Sequence, residues 1–178
     1  MGWPFRHSRR HRSLTIEIRL AAEADLPYLP AIERAAADAF VGRDIPFEAI
    51  TGVTPAEAWR PALDAGTLWI ADDGEPVGFL GATRHGRRLH IDEFDIRPSH
   101  QGRGLGRRML GEVIGWARGE GLESLSLTTF AHIPWNAPFY ASCGFIALGE
   151  DLPADLGAVL AAETARGLPN GVAMRLSL

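Results

Sequence analysis

The sequence predicts an α/β protein whose central sheet is mixed and mostly antiparallel. Its 178 residues, 46% of them hydrophobic, are enough to build one buried core, and they argue against disorder as the main state. Stretches with the period-two alternation of strands take turns with stretches of helical periodicity. Two tight turns join three consecutive strands in the middle of the chain, so those strands are antiparallel. No repeat or linker divides the sequence, which indicates one domain over residues 14–178.

The first part of the chain predicts one strand and two helices. Residues 14–20 alternate strictly between apolar and polar side chains, as strands do. Asp25 is a suitable N-cap for a helix with Pro27 in its first turn and Gly42 at its end. Thr54-Pro55-Ala56-Glu57 has the pattern of a capping box, which predicts a short helix ending near residue 64.

The remaining elements alternate between strands and helices. Strands are predicted at 68–71, 77–83, 88–97, 122–130, 144–148 and 172–176, and helices from the glycine-rich stretch 101–106 to residue 118, at 134–143 and at 153–165. A helical crossover joins strand 88–97 to strand 122–130, so this pair is predicted to be parallel. Gly111 and Gly115 weaken the crossover helix, and we expect close packing on the sheet to be their reason.

The basic residues of the chain exclude several classes of enzyme. All 18 of them are arginine, and the sequence contains no lysine. A P-loop uses a lysine against its phosphates, a protein kinase uses one against ATP, and Schiff-base enzymes use a lysine amine. None of these chemistries fits this chain. Hydrolases of the G-x-S-x-G or H-E-x-x-H type have no support either, since neither pattern occurs.

Charge is unevenly distributed along the chain. Residues 1–13 hold four arginines and no acidic residue, and because the whole chain carries −4, the remainder carries −8. We expect this basic N-terminal arm to be flexible and solvated, and the acidic body argues against a nucleic-acid partner. Ser8-Arg9-Arg10 is similar to a twin-arginine export signal, but Glu17 and Arg19 interrupt the apolar run that must follow. No stretch is long enough to span a membrane.

The single Cys143 indicates a reducing compartment. One cysteine allows no internal disulfide and no site built from several thiolates. His7 and His11 have i, i+4 spacing, but no carboxylate accompanies them. We therefore expect a cytoplasmic protein without a bound metal.

A glycine-rich loop is the strongest candidate for binding a ligand. Gln101-Gly102-Arg103-Gly104-Leu105-Gly106-Arg107-Arg108 lies between a strand end and a helix start, where free N–H groups and the helix dipole attract anions. Glycines allow the backbone to approach a phosphate, and the arginines can fork onto its oxygens. Arg107 stands where the dinucleotide fingerprint G-x-G-x-x-G has its third glycine, so this is not that motif. Taken alone, the loop fits an ordinary turn with surface arginines equally well.

Two motifs taken together resemble the GNAT superfamily, the GCN-related N-acetyltransferases. Gln101-x-x-Gly104-x-Gly106, preceded by Phe94-Asp95-Ile96-Arg97-Pro98, is similar to the acyl-CoA-binding motif of that superfamily. Residues 134–145, with Asn136, Tyr140 and Gly144-Phe145, resemble its Asn-x-x-x-Tyr-x-x-x-Gly-Phe segment. The order of elements over residues 14–149 resembles the superfamily as well.

The resemblance implies a GNAT-like fold and an acetyl-CoA co-substrate. Helices would cover both faces of the sheet, and strands 88–97 and 122–130 would splay apart to hold the co-substrate between them. Backbone groups of the first strand would pair with the pantetheine arm, and loop N–H groups would hold the pyrophosphate. The residues assigned to acetyl-CoA in this way are Phe94, Asp95, Ile96, Gln101, Gly102, Arg103, Gly104, Leu105, Gly106, Arg107 and Asn136.

The resemblance also implies direct attack of an amine on the thioester, with Tyr140 as the general acid that protonates the thiolate. A core position among aromatic neighbours is the alternative for Tyr140. The general base stays open between Glu93, His90 and a chain of water molecules. Simple alternation places His90 and Asp92 on one face of their strand and Glu93 on the other, and a bulge there would change that parity.

The expected function is an acetyl-CoA-dependent N-acetyltransferase acting on a small-molecule or peptide amine. A non-catalytic acyl-CoA-binding sensor would keep the glycine loop without needing Tyr140, and a nucleic-acid-associated protein would use residues 1–13. A homodimer through the C-terminal strands, common among such relatives, is compatible with the sequence. The aromatic candidates for the acceptor pocket are Phe40, Phe47, Trp59, His132 and Trp135.

Overall fold

A computed structural model describes residues 15–42, 45, 52–149, 152–168 and 170–178. The basic arm predicted at 1–13 and the pocket candidate Phe47 lie outside the described residues. The strands are β1 (Glu17–Leu20), β2 (Leu68–Asp72), β3 (Pro76–His85), β4 (Arg88–Ile96), β5 (Ser124–Phe130), β6 (Ile146–Ala147) and β7 (Gly171–Ser177). The α-helices are α1 (Leu29–Ala37), α2 (Arg60–Asp64), α3 (Leu105–Gly119), α4 (Ala137–Ser142) and α5 (Ala154–Ala165). Short 3-10 turns cover Glu23–Tyr28, Asp38–Phe40, Ala56–Trp59 and Pro98–His100.

The strands form one sheet in the order β1-β2-β3-β4-β5-β7-β6. Neighbouring strands are antiparallel except β4 and β5, which run parallel. The connection between β4 and β5 passes through α3, and such a crossover returns the chain in its original direction. The predicted mixed, mostly antiparallel α/β class is confirmed.

The strands β4 and β5 separate after a short paired stretch. Their parallel register joins residues 88–91 to residues 124–127, and the remainder of neither strand continues it. The outer edge of β4 stays paired with β3 up to residue 96, and the outer edge of β5 stays paired with β7 up to residue 130. The gap between the two strands is therefore held open by the pairing on their outer edges.

A β-bulge interrupts β4 just where the gap begins. Gly81 of β3 pairs with Glu93, whereas the next residue, Ala82, pairs with Ile91. Asp92 is therefore an extra residue that has no counterpart on β3.

The bulge reverses the alternation of side chains along β4. Before it, Ile91 enters the core beneath α3, and after it, Phe94 packs against the same core. Glu93 and Asp95 consequently face the opposite side of the sheet, the side on which His90 also lies. Simple alternation would have separated His90 from Glu93, so the bulge decides which face carries the acidic side chains.

Apolar clusters cover both faces of the sheet. On one face, α3 buries side chains at helical spacing against the strands, namely Leu105, Met109, Leu110, Val113 and Ala117. On the other face, α1 and α2 contribute Leu29, Ile32 and Ala62, which pack with Trp59 and Phe79. Helices therefore lie on both faces, as the resemblance implies. Among the described residues, no helix combines the length and the apolar character needed to cross a membrane.

The start of the first helical segment differs from the prediction. Asp25 is not an N-cap, because it lies inside a 3-10 turn. Its carboxylate accepts hydrogen bonds from the backbone N–H of Ala22 at 2.7 Å and from the Arg19 guanidinium at 2.7 and 2.9 Å. Asp25 therefore holds the start of the turn from its third position, through Ala22, and at the same time pairs with a charged partner on β1.

The predicted capping box at Thr54 is also wrong. The 3-10 turn before α2 begins after Pro55, without a side-chain cap. Thr54 instead donates its backbone N–H and its hydroxyl to the Glu33 carboxylate, at 3.0 and 3.2 Å. This contact ties the segment before α2 to α1.

The glycines of α3 do not pack on the sheet. Gly111 and Gly115 are exposed, and no atom lies within 4 Å of the position that a Cβ would take at either. The expectation of close packing is therefore wrong, because both glycines lie on the solvent side of the helix. A close approach occurs instead at Gly81, where a Cβ would lie 2.2 Å from the Trp59 ring.

Candidate active site

Two cavities meet at the gap between β4 and β5. The first, of about 330 Å³, is called the acidic cavity, and its lining includes Glu33, Glu93, Asp95, Phe130 and Glu163. The second, of about 460 Å³, is called the loop groove, and its lining includes Ile96, Gln101, Gly102, Gly104, Gly106 and Arg107. The residues that line both cavities are Phe40, Phe94, Asp95, Asn136 and Tyr140. Tyr140 therefore lies where the two cavities join.

The glycine loop presents unpaired backbone donors. Gly102 and Gly104 have φ angles of 72° and 78°, left-handed values that glycine adopts without strain. Gly104 precedes α3, and its carbonyl accepts the Arg108 N–H at 3.1 Å. Within the described residues, the backbone N–H groups of residues 102–107 have no hydrogen-bond acceptor. An anion in the loop groove would meet these donors at the positive end of the helix dipole.

Gln101 anchors the loop and does not add its own N–H to this set. The backbone N–H of Gln101 donates to the Pro98 carbonyl at 3.3 Å, so the donor set expected from residue 101 begins at Gly102. The Gln101 side chain donates from Nε2 to the Ile96 carbonyl at 2.7 Å. This bond closes the loop onto the end of β4 and fixes where the free N–H groups point.

The arginines of the loop hold neighbouring parts of the fold. Arg107 donates from Nη2 to Ser142 Oγ at 2.8 Å and from Nη1 to the Ser142 carbonyl at 3.0 Å. Arg108 donates to the carbonyl of Ile16 at 2.9 Å. Arg103 is exposed and does not line the loop groove. Backbone N–H groups and Arg107 therefore line the loop groove together, and the Arg107 guanidinium is at the same time bonded to Ser142.

The inner edge of β4 offers a second set of backbone groups. Phe94, Asp95 and Ile96 pair with β3 on one side, and the parallel register with β5 ends before them, at Ile91. A free strand edge of this kind can accept an extended chain as a further strand. All three residues line the loop groove, so the strand edge and the glycine loop form one continuous surface.

Tyr140 is held by aromatic packing at the junction of the cavities. Its ring centroid lies 5.2 Å from that of Phe139 and 5.7 Å from that of Phe145. Burial raises the pKa of the Tyr140 phenol, and the negative charges of Glu93 and Asp95 raise it further. The phenol therefore keeps its proton at neutral pH. Within the described residues its hydroxyl has no hydrogen-bond partner, which leaves it free to meet a ligand.

Carboxylates from separate elements converge on the acidic cavity. Glu33 comes from α1, Glu93 and Asp95 come from β4, and Glu163 comes from α5. The other charged residues in the lining are Asp92 and Arg166. As far as the described residues go, the lining therefore holds five acidic residues and one arginine.

Hydrogen bonds orient two of these carboxylates. The Glu33 carboxylate accepts the two bonds from Thr54. The Glu163 carboxylate accepts a bond from the Thr128 hydroxyl of β5 at 2.7 Å. Both side chains are thus fixed in place although they belong to different helices.

Burial and mutual repulsion raise the pKa values in the acidic cavity. Burial is the main cause for Glu93, the charge of Glu33 adds to it, and the pKa of Glu93 rises to about 7. Burial also raises the pKa of Asp95 well above its usual range, and the charge of Glu93 adds to the effect. For Glu33, burial raises the pKa and the bonds from Thr54 oppose the rise. A carboxyl that titrates near neutrality can accept a proton from an ammonium group and release it again.

His90 lies away from both cavities. Its side chain is buried, and its Nδ1 lies 3.0 Å from Ser126 Oγ on β5. Burial lowers the pKa of its imidazole, and the residue lines neither cavity. Of the two side chains considered as a base from the sequence, the structure brings only Glu93 into a cavity with Tyr140.

The other predicted site residues divide into two groups. Phe40 lines both cavities, and Trp135 lines the loop groove. Trp59 is instead buried in the cluster of α1 and α2, and His132 is exposed outside both linings. Leu105 is the first residue of α3 and its side chain is buried, so only its backbone can serve the loop.

Sequence reasoning missed Glu33 and Glu163 and assigned Asp95 only through its backbone. The available signal for Glu33 is its position next to the buried Ile32 in α1. That signal is weak, because only the fold shows that α1 and α5 lean over the same gap. In the part of the chain that is described, no group of three or more His, Cys, Asp or Glu side chains is arranged to hold a metal ion.

Comparison with known proteins gives similar sequences and similar folds. Over 50 residues the chain is 40% identical to the N-alpha-acetyltransferase RimI of Mycobacterium tuberculosis, which covers 26% of this chain and 32% of that protein. The N-acetylglutamate synthase from Neisseria gonorrhoeae, in complex with coenzyme A and N-acetyl-glutamate, is similar with a TM-score of 0.69 at 20% identity, over 92% of this chain and 35% of that one. The ribosomal-protein-alanine N-acetyltransferase from Brucella melitensis is similar with a TM-score of 0.67 at 22% identity, over 92% and 100%. The matches to the first two proteins span about a third of their length.

The sequence model of the Acetyltransferase (GNAT) family matches residues 31–145. This range is more than half of the chain, and it includes β4, the glycine loop, β5 and Tyr140. The splayed strands and the loop at the start of α3 agree with that match. The chain therefore belongs to the GNAT family of acetyltransferases.

Proposed function

We propose that this protein transfers an acetyl group from acetyl-CoA to an amine, with Glu93 as general base and Tyr140 as general acid. The observation that carries the proposal is the meeting of the two cavities at Tyr140. One cavity ends in free backbone N–H groups suited to a diphosphate, and the other ends in a carboxyl suited to an ammonium group. The names of the similar proteins describe N-acetyltransferases, which supports an amine as the acceptor.

The residues of the loop groove fit acetyl-CoA. The unpaired N–H groups of residues 102–107 suit its diphosphate, and the open edge of β4 at Phe94, Asp95 and Ile96 suits the amides of its pantetheine arm. Asn136 lines both cavities and can hydrogen-bond on either side of the junction. Bound there, acetyl-CoA supplies an activated acetyl thioester. The groove orients it toward Tyr140, and orientation of two reactants is a large part of such catalysis.

Glu93 is the proposed acceptor of the proton that the amine must lose before it attacks. Its carboxyl lines the acidic cavity, and its pKa of about 7 balances proton uptake against release near neutral pH. The bulge at Asp92 turns the Glu93 side chain to this side of the sheet. A chain of water molecules can carry the proton to Glu93 where direct contact is not made.

Tyr140 is the proposed donor of a proton to the leaving thiolate sulfur. Its phenol stays protonated at neutral pH because burial and two nearby carboxyls raise its pKa. The free hydroxyl lies at the junction that both reactants must reach. Positioned proton transfer of this kind contributes roughly 10²–10⁴-fold to a rate.

The experiment combines acetyl-CoA binding with turnover. Calorimetry should show acetyl-CoA binding to the wild-type chain and, within about twofold, to the Tyr140→Phe variant. Thiol release with a panel of amines should fall by roughly 10²-fold or more in Tyr140→Phe. Tyr28→Phe is the matched control, because Tyr28 is 40% exposed and lines neither cavity.

The outcomes separate the proposal from its alternative. Absence of acetyl-CoA binding at millimolar concentration would reject the proposal. Binding without turnover over the whole amine panel would instead support a non-catalytic acyl-CoA-binding module. Unchanged turnover in Tyr140→Phe would remove the acid role from Tyr140 while leaving the transferase activity.

A further inference from the structure

The Asp95 carboxyl has no partner in the described part of the chain. It lines both cavities, and neither a hydrogen bond nor an ion pair reaches it from the described residues. Burial is the main cause of the rise in its pKa, so the carboxyl is partly withdrawn from water. A partly buried carboxylate without a partner destabilises the fold unless a bound ligand supplies that partner. A cation in the cavity would be such a ligand.

The carboxylates of Glu33 and Glu163 in the acidic cavity also favour a cation. Glu33 and Glu163 are oriented by Thr54 and Thr128, through a backbone N–H and hydroxyl groups. These donors are uncharged, so they fix the direction of each carboxylate without neutralising it. Among the described residues, the one cation in the lining is Arg166, an exposed residue that directly follows the last residue of α5.

Aromatic rings add to the attraction for a cation. Phe40 and Phe130 both line the acidic cavity, with ring centroids 5.8 Å apart. The faces of such rings attract ammonium groups, most strongly where water is excluded. An anionic ligand would gain nothing from these rings and would be repelled by the carboxylates.

The carboxylates of the acidic cavity come from different walls. Asp95 lines both cavities, as Tyr140 does, and Glu93 lies two residues before it on the same face of β4. Glu33 of α1 and Glu163 of α5 line the acidic cavity and not the loop groove. The cavity therefore offers one acidic position beside the junction and a second one at α1 and α5.

We propose that the acceptor is a small amine that carries a second cationic group, with Asp95 and Glu93 around the reacting amine and Glu33 and Glu163 around the second cation. This inference rests on the proposed function, because it concerns the acceptor side of the same site. The proposal specifies that the acceptor carries two positive charges, whereas the sequence leaves the charge of the acceptor undecided. A cavity of about 330 Å³ limits the part of the acceptor that is enclosed to a small molecule.

The test compares three amines that share a four-carbon chain and differ in the second end group. The probes are 1,4-diaminobutane, 1-aminobutane and 4-aminobutanoate. Calorimetry on the full chain saturated with CoA measures binding without turnover. We expect the diamine to bind about tenfold more tightly than the monoamine, and the aminobutanoate more weakly than either.

Two variants and a control locate the second cation. In Glu163→Gln and in Glu33→Gln, the ratio of diamine affinity to monoamine affinity should fall toward one. In Glu112→Gln the ratio should stay at the wild-type value, because Glu112 is exposed on α3 and lines neither cavity. Circular dichroism of each variant verifies that it is folded.

The outcomes are distinct from those that test the proposed function. Equal affinities for the diamine and the monoamine, tighter binding of 4-aminobutanoate, or no diamine binding at all would overturn this inference. Turnover of 1-aminobutane with acetyl-CoA would still uphold the transferase in each of those cases. Tight diamine binding without any thiol release would show a dicationic binding site but would overturn both the transferase and the role of the diamine as acceptor.

Discussion

The Arg107 guanidinium lies 2.8 Å from Ser142 Oγ and 3.0 Å from the Ser142 carbonyl oxygen. The first turn of α3 is thereby tied to the last residue of α4. The Ser142 hydroxyl in turn donates to the Phe139 carbonyl at 2.6 Å, and Tyr140 lies between these two positions in the chain. The glycine loop and Tyr140, which are distant in the sequence, are thus held in a fixed relation.

Replacement of Ser142 by alanine should loosen α4. The variant loses the charge-assisted hydrogen bond from Arg107 and the bond from the hydroxyl to the Phe139 carbonyl, at an exposed residue of a six-residue helix, which costs about 1 kcal/mol. Hydrogen exchange of the Tyr140 and Phe145 amides should therefore speed up about fivefold. Ser99→Ala is the control, since the exposed Ser99 hydroxyl is hydrogen-bonded, within the described residues, to the His100 ring alone. Unaltered exchange in α4 would show that the contact with Arg107 does not hold the helix.

Replacement of Glu93 by glutamine should remove the pH dependence of the reaction near neutrality. With a pKa of about 7, the base form of Glu93 rises from about a tenth of molecules at pH 6 to about nine-tenths at pH 8. Wild-type kcat/KM should rise about tenfold over this interval. The glutamine variant should be at least about 10²-fold slower and lack this rise. An identical profile in both proteins would assign the titration to another group.

The same substitution should stabilise the fold at alkaline pH. The pKa of Glu93 is higher in the folded chain than in the unfolded one, so the folded state binds the proton more tightly. The contribution of this group to stability is fully present below about pH 4.5 and is lost as the pH rises through about 7. Glu93→Gln should accordingly gain roughly 1–3 kcal/mol over wild type on going from pH 5 to pH 8, measured by urea unfolding. A pH-independent difference would mean that Glu93 titrates normally.

Replacement of Gly104 by alanine should weaken acetyl-CoA binding. Gly104 has a φ of 78° and directly precedes α3, and alanine at such a φ costs about 1–2 kcal/mol. The loop will relax toward a negative φ and move its free N–H groups, so Kd should rise about tenfold by calorimetry. Gly119→Ala, at the exposed end of the same helix and without a positive φ, should leave Kd within twofold. Similar Kd values for the two variants would count against a role of the loop.

Two glycine substitutions should act on stability in opposite directions. Gly115 lies on the solvent side of α3 with open space around it, so Gly115→Ala should stabilise the protein by about 0.5–1 kcal/mol. Gly81→Ala should destabilise it by at least about 1–3 kcal/mol, because the new Cβ would fall 2.2 Å from the Trp59 ring. Urea unfolding of both variants measures the difference. A stabilising Gly81→Ala would mean that Trp59 can move aside.

Local patterns in the sequence were sufficient for most of the fold. Two tight turns predicted β3 and β4 as consecutive antiparallel strands, and the helical crossover predicted that β4 and β5 are parallel. Helix starts were less accurate, because capping depends on competing partners. The Asp25 carboxylate bonds to Arg19, and Thr54 bonds to Glu33, and neither partner can be identified from nearby sequence.

The acidic cavity illustrates what the sequence could not provide. Glu33 and Glu163 are 130 positions apart and meet only because α1 and α5 lean over the same gap. The face of the sheet on which Glu93 lies depends on the bulge in β4. A bulge arises from the pairing of two strands, so the sequence of β4 alone does not determine it. By contrast, the glycine loop and Tyr140 were recognisable, since their chemistry resides in short contiguous motifs.

The extra residue at Asp92 reverses the alternation of side chains along β4 relative to β3. Deleting it would bring Glu93 and Asp95 toward the apolar core beneath α3 and turn Phe94 toward the opening between β4 and β5. The acidic cavity would then lose the carboxyls that β4 contributes and keep those of Glu33 and Glu163. One residue more or less in β4 therefore decides whether its acidic or its apolar side chains face the cavity.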